Sequence, residues 1–249
     1  MKHDTPRILA VIPHYNHETT LGSVVQAMRA LDLDCLIVDD GSTAAARTVL
    51  HQLAADDLRT LLYLRDQNGG KGAAMKDGFR YAAAHGYSHV LQIDADAQHC
   101  FTDAQKMIQA ACEQTNAMIC GNPIYGADAP KSRLYGRKLT NFWIRINTGS
   151  RNIPDGMCGF RLYPLVATIP VLDEETIGER MDFDTEILVH LFWRKVPFIW
   201  IDTPVRYRQD GISHFRAFGD NVLISRMHAR LFLQMVWRRL FPRTRQGRA

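Results

Sequence analysis

Cysteine is scarce in this sequence and its spacing has no pattern. Five occur among 249 residues, at 35, 100, 112, 120 and 158, and no two form a CxxC pair. That argues against a zinc site and a disulfide framework, and fits a reduced, cytosolic setting. No run of 18 apolar residues occurs, so no membrane-spanning helix is expected. The opening MKHDTPR has no apolar stretch behind its charges, so no secretory signal is expected. A GxGxxG after the first apolar run is missing, and so is a P-loop. A dinucleotide-binding Rossmann site therefore has no support. Acid is absent from residues 221–249, where seven arginines and no lysine stand.

What remains is an ordinary globular mixture, 46% hydrophobic and 22% charged, which excludes wholesale disorder. The formal net charge is +4. Because residues 221–249 alone carry +7, residues 1–220 carry −3. A mildly acidic body with a basic end suits an anionic partner, a membrane surface or a nucleic acid.

The hydrophobic pattern alternates between the two periods. Strands are expected at Ile8–Ile12, Cys35–Val38, Thr60–Leu64, His89–Ile93 and Ala117–Cys120. Helices are expected between them, at Thr19–Ala30, Ala44–Ala55, Lys71–His85 and Thr102–Cys112. This order predicts an α/β fold with a mostly parallel central sheet and helices on both faces. Such sheets bind ligands at the carboxyl ends of their strands. Further on, Gly121–Ser132 reads as a polar loop and Lys131–Asn147 as a basic amphipathic helix. Met157–Leu162 reads as a strand, Asp184–Arg194 as a helix, and Phe198–Ile201 and Val205–Tyr207 as short strands. No linker divides the chain, so residues 1–220 are expected to form one domain, with 221–249 as a helical appendage and tail.

Polar groups gather at the predicted strand ends. Asp94-Ala95-Asp96-Ala97-Gln98 places two carboxylates and an amide oxygen at alternate positions after a strand, a donor set for Mg or Mn. Asp39-Asp40-Gly41-Ser42 puts a carboxylate where a base or ribose is held, although turn and cap chemistry alone explains it. Asn68-Gly69-Gly70-Lys71-Gly72 offers backbone N–H groups and an ammonium to phosphate.

Together these segments, with VIPHYN (11–16), DGMCGFRLYP (155–164), FDTEIL (183–188) and VRYRQDGISHF (205–215), resemble family 2 glycosyltransferases of the GT-A (nucleotide-diphospho-sugar transferase) fold. Among these they are most similar to polyprenyl-phosphate sugar synthases of the dolichyl-phosphate mannose synthase type. The resemblance implies an inverting transfer from a UDP- or GDP-sugar, with a divalent cation. It implies that Pro13, Tyr15 and Asn16 line the nucleotide pocket, that Asp39 holds the base, and that Lys71 lies by the nucleotide. It implies Asp94 at the ribose or metal, and Asp96 and Gln98 at the metal and diphosphate.

Two acceptors make different chemical demands. A lipid phosphate needs cations and no base. Arg133 and Arg137 lie one helical turn apart, and the resemblance implies that they grip the acceptor phosphate. Arg206, Arg208, Ser213 and His214 resemble a loop that closes over phosphates. Leu134, Trp143, Ile144 and Ile146 are candidates for meeting the lipid tail. A hydroxyl acceptor instead needs a general base, for which Asp182, Asp184 and Glu186 are the candidates, helix capping being the plainer reading of the aspartates.

Gly219–Phe241 reads as one helix stopped by Pro242, with Arg226, Arg230, Gln234 and Arg238 as a polar stripe beside an apolar, aromatic face. That is the pattern of an interfacial membrane anchor; packing on the body or on a membrane-anchored protein partner is the alternative. No nucleic-acid module is recognisable, so nucleic acid is not an expected partner. The expectation is a cytoplasmic enzyme, peripheral on a membrane; a silent membrane-recruiting subunit is the reading from another class.

Overall fold

The computed structural model describes residues 5–126, 131–205 and 217–241. Its centre is a seven-stranded sheet in the order β3-β2-β1-β4-β6-β5-β7. The strands are β1 (Ile8–His14), β2 (Asp34–Asp39), β3 (Thr60–Leu64), β4 (His89–Gln92), β5 (Met118–Tyr125), β6 (Arg161–Pro164) and β7 (Phe198–Val205). Only β6 runs antiparallel to its neighbours. The mostly parallel sheet agrees with the sequence pattern.

Alternation along β1 explains the layers. Ala10 and Ile12 point to one face, where α1 (Glu18–Ala30), α2 (Ala44–Asp56) and α4 (Phe101–Glu113) contribute Leu21, Leu50 and Met107 to one cluster. Leu9 and Val11 point to the other, against Met75 and Phe79 of α3 (Lys71–Ala84), Val171 of α6 (Leu165–Glu174) and Phe183 of α7 (Phe183–Trp193). All of these side chains are buried, as strands covered on both faces require.

The second half departs from the sequence reading in three places. β5 continues to Tyr125, through the first residues expected to be loop, because it pairs with β7 along its whole length. The expected break after Ile201 is absent for the same reason. The strand expected over Met157–Leu162 is confined to Arg161–Pro164, and α6 follows it unforeseen. Pro170 inside α6 and its nearly continuous apolar composition leave no helical polarity to read.

The last helices are α5 (Lys131–Thr148) and α8 (Ala217–Leu240). Met227 and Leu231 of α8 are buried with Ile144 of α5 and Leu188 and Val189 of α7. Ile144 is thus a core residue and is not available to a lipid tail; the exposed apolar side chains of α5 are Tyr135, Leu139 and Phe142. The polar stripe of α8 turns partly inward. Arg230 pairs with Glu186 and Arg238 with Glu175, while Leu233, Trp237 and Leu240 point outward. No helix among the described residues is long and apolar enough to cross a membrane.

Two histidines lie buried beside α8, His190 on α7 and His228 on α8 itself. Burial pushes their imidazoles down, to about 3 and about 4, from an ordinary 6.5. The folded state therefore binds fewer protons than the unfolded chain below pH 6.5. Their contribution to stability is complete above that pH and lost as pH falls toward 4. Urea melts at successive pH values are expected to show stability falling from pH 7 to pH 5. The slope is expected to be shallower in His190→Gln, and an identical slope in that variant contradicts the assignment.

Candidate active site

The carboxyl ends of β1 and β2 lie side by side, with His14 in register with Asp39. Asp39 is fully buried and accepts from His14 Nδ1 (3.3 Å), Arg47 Nε (2.9 Å) and the Ser42 N–H (3.2 Å). Burial alone raises its pKa; the bonds from Ser42, His14 and Arg47 outweigh it and hold the carboxyl below the usual range. Beside it, Asn16 accepts from the Thr43 N–H (2.9 Å) and its own N–H donates to Ser42 Oγ (2.9 Å). Pro13, Tyr15 and Asn16 are half-buried at this edge.

Asp40, which the sequence reading left in a turn, has a specific task. It accepts from the N–H groups of Gly69 (2.9 Å) and Gly70 (2.7 Å), and pairs with Arg65. These bonds tie the glycine-rich loop to the end of β2. Gly70 has φ +104, and a Cβ there would stand 2.6 Å from the Glu179 carbonyl oxygen. Only glycine fits that approach without strain. The loop thus delivers Lys71 to the first turn of α3.

Lys71 is the centre of the arrangement. Its Nζ lies 2.7 Å from Asp94 Oδ1 and 3.0 Å from Asp184 Oδ2. Desolvation opposes its charge, yet Asp184 and Asp94 raise its pKa, so it is an ammonium at neutral pH. Asp184 also accepts from Gln92 Nε2 (2.8 Å), and its backbone oxygen accepts from the fully buried Arg161. Although burial alone raises the pKa of Asp184, Lys71 and Arg161 keep its carboxyl below the usual range. Gly159 makes room: a Cβ there would sit 2.5 Å from Lys71 Nζ. Gln92 and Arg161 are thus positioning residues. The polar Gln92 at the end of a buried strand is the sequence signal that could have found one of them.

Next to Lys71 opens a polar pocket of about 170 Å³. Asp94, Asp96, Gln98, Tyr125, Arg137 and Gly159 are among the residues that line it. Sites for drug-sized ligands span roughly 300–1,000 Å³, so this one suits an ion and a phosphate-sized group. Arg137 donates to both oxygens of Asp155 at 2.6 Å and stacks over the Tyr125 ring at 5.1 Å. His99 also lines the pocket, stacked on Phe160 at 4.9 Å, and its Nδ1 has no partner among the described residues. Burial pushes its imidazole down to about 4, which leaves it neutral at pH 7.

The three candidate bases are not brought together. Asp184 faces Lys71, as described. Asp182 accepts from the Arg180 N–H (3.1 Å) and makes no side-chain cap bond to α7. Glu186 is fully buried on another side of α7, held by Arg230 at 2.6 Å and by the Gly178 N–H at 2.7 Å. Burial keeps its pKa above the ordinary carboxylate value even beside Arg230. Arg206, Arg208, Ser213 and His214 lie outside the described residues, as does the side chain of Arg133. Among the described residues no group of three His, Cys, Asp or Glu side chains forms a metal site. The hard-cation set in the pocket is two carboxylates and one amide.

Comparison with known proteins assigns the family and the fold. The chain is 26% identical over 228 residues to polyprenol monophosphomannose synthase of Mycolicibacterium smegmatis, covering 88% of this chain and 83% of that protein. It is 25% identical over 198 residues to the UDP-N-acetylglucosamine–dolichyl-phosphate N-acetylglucosaminyltransferase of Methanococcus voltae, covering 73% and 78%. The structure superposes on glucosyl-3-phosphoglycerate synthase from Mycobacterium tuberculosis, solved with UDP, at TM-score 0.67 and 18% identity, over 92% of this chain and 80% of that one. That likeness establishes the GT-A fold. A family model described as Glycosyl transferase family 2 matches residues 9–168. With more than half its length matched, the chain belongs to glycosyl transferase family 2 and is a glycosyltransferase.

Proposed function

We propose that this enzyme moves a sugar, with inversion, from a nucleotide-diphospho sugar to a polyprenyl phosphate at a membrane surface. The observation that carries the reading is the shared pocket, which Arg137 lines together with Asp94, Asp96 and Gln98. Oxygen ligands for a cation on the donor diphosphate and an arginine for an acceptor phosphate then line one small space. The relatives named for transfer to polyprenol and dolichyl phosphate support the same acceptor class.

In this reading the nucleotide lies over Pro13, Tyr15 and Asn16, with Asp39 fixing that edge, and Lys71 faces the diphosphate. Asp94, Asp96 and Gln98 would hold Mg or Mn, whose hard charge suits two carboxylates and an amide oxygen. When bound, the ion supplies charge neutralisation for the diphosphate leaving group. Lys71 adds an ammonium held by Asp94 and Asp184 and so kept in place without solvent reorganisation. Arg137, with Arg133, Arg206, Arg208, Ser213 and His214 as further acceptor contacts, orients a phosphate oxygen for attack on the anomeric carbon. That oxygen is already anionic, so no base is needed.

A hydroxyl acceptor fits less well. Asp184 is held as a carboxylate by Lys71 and Arg161, which makes it a poor base. Glu186 is tied to Arg230 away from the pocket. The testing experiment is a donor screen across UDP- and GDP-sugars with Mg or Mn, reading nucleotide diphosphate release with and without lipid phosphate. Release with at least one donor that requires both the ion and the lipid phosphate is expected. Failure of every donor contradicts the reading.

A further inference from the structure

A second cavity, beside the last helices, has no part in that chemistry. It measures about 790 Å³ and lies at the outer end of α8, against the carboxyl ends of α5 and α7. That volume falls in the range of small-molecule sites, roughly 300–1,000 Å³. Trp193, Trp237 and Phe241 supply aromatic walls. Arg238 is committed to Glu175 at 2.8 Å and to the Trp193 ring at 4.7 Å. Lys195 and Arg239 are the remaining cations, both exposed, and neither has an acidic partner among the described residues. With Glu175 already matched, the lining carries an excess of positive charge.

The apolar rim, and not the buried amides, narrows the ligand. Asn147 is fully buried, and its Oδ1 finds no donor among the described residues; the same holds for Gln234 Oε1. Both residues line the cavity. Both oxygens are closed off from solvent as well, so they make no contact with a ligand in the cavity, and the cations and the apolar rim decide what it takes. Outward from the cavity, α8 exposes Leu233, Trp237 and Leu240, followed by Phe241, each more than half accessible. A free nucleotide or sugar phosphate would leave that apolar rim uncovered. An acyl chain would cover it.

We propose that this cavity is a discrete site for one anionic glycerophospholipid of the bilayer. Lys195 and Arg239 take its phosphate, and the exposed rim of α8 takes the acyl chain. The site goes beyond the acceptor reading, because it shares no residue with the Asp94 pocket. Interfacial anchors bind anionic surfaces diffusely; a cavity of this kind binds one lipid stoichiometrically.

The test uses soluble dioctanoyl phosphatidylglycerol below its critical micelle concentration, titrated into the full chain by calorimetry. Saturable one-to-one binding is expected, with dioctanoyl phosphatidylcholine binding far more weakly. The double substitution Lys195→Glu with Arg239→Glu, at exposed positions, is expected to weaken binding roughly tenfold or more. Arg137→Gln, in the other pocket, is expected to leave it unchanged. No saturable binding, equal binding of the zwitterionic lipid, or loss in Arg137→Gln without loss in the double variant overturns the proposal. Failure of catalysis in any of these proteins has no bearing on it, since the readout is binding.

Discussion

Replacing Asp96 by alanine is expected to lower kcat/KM by roughly 10²–10³-fold while leaving the fold intact. The magnitude is that of removing one preorganised electrostatic contact at a centre of developing charge. Asp96 lies on the pocket wall with Asp94 and Gln98, half-exposed and outside the three core clusters. Its loss therefore removes a donor to the cation without opening a cavity. Steady-state kinetics at saturating and limiting Mn, with thermal melts on the same samples, separate the two effects. The wild-type melting temperature with a large kinetic loss is the expected pair. Full activity in Asp96→Ala contradicts a metal-assisted mechanism at this pocket.

Arg230→Ala carries the largest expected cost in stability. Glu186 has no solvent exposure and accepts from Arg230 Nε and NH2 between 2.6 and 2.9 Å. Removing one partner of a buried pair strands the other charge, at about 3–5 kcal/mol. The Arg230 side chain is 37% exposed, so water reaches part of the pair and the lower figure, about 3 kcal/mol, applies. For a chain of this length that corresponds to a fall in Tm of roughly 6–12 °C. The double substitution Glu186→Leu with Arg230→Met is expected to recover most of the loss, because no charge is then buried. A loss below about 1 kcal/mol in Arg230→Ala contradicts the view that this pair seats α8.

The same pair marks where the sequence was legible and where it was not. Strands β1 to β4 and the helices between them follow from local periodicity, because each is buried by residues near it in the chain. The side on which Glu186 faces does not follow. Its spacing from Asp182 places both on one helix face, but α7 is buried almost all round, and no amphipathic stripe distinguishes the site from the core. In the same way Arg230 and Arg238 read as a solvent stripe, since their acids, Glu186 and Glu175, stand 44 and 63 residues away in sequence. Asp40 read as a turn residue because its partners, Gly69 and Gly70, belong to another segment. Asp94, Asp96 and Gln98 stand at alternate positions after β4, and that local spacing is why the sequence groups the three residues that line one pocket. That Arg137 lines the same pocket depends on how α5 folds over the sheet, which local pattern does not encode.

The central claim is transfer to a lipid phosphate, and it rests on Arg137 lining the same pocket as Asp94, Asp96 and Gln98. One measurement bears on it most directly: nucleotide diphosphate release with a matched pair of acceptors, a short-chain polyprenyl phosphate and the corresponding polyprenol, in the presence of Mn. The predicted result is release that depends on the phosphate, with a glycosyl phosphate diester as product and no turnover of the alcohol. Turnover of the polyprenol at a rate equal to or above that of its phosphate would contradict the account.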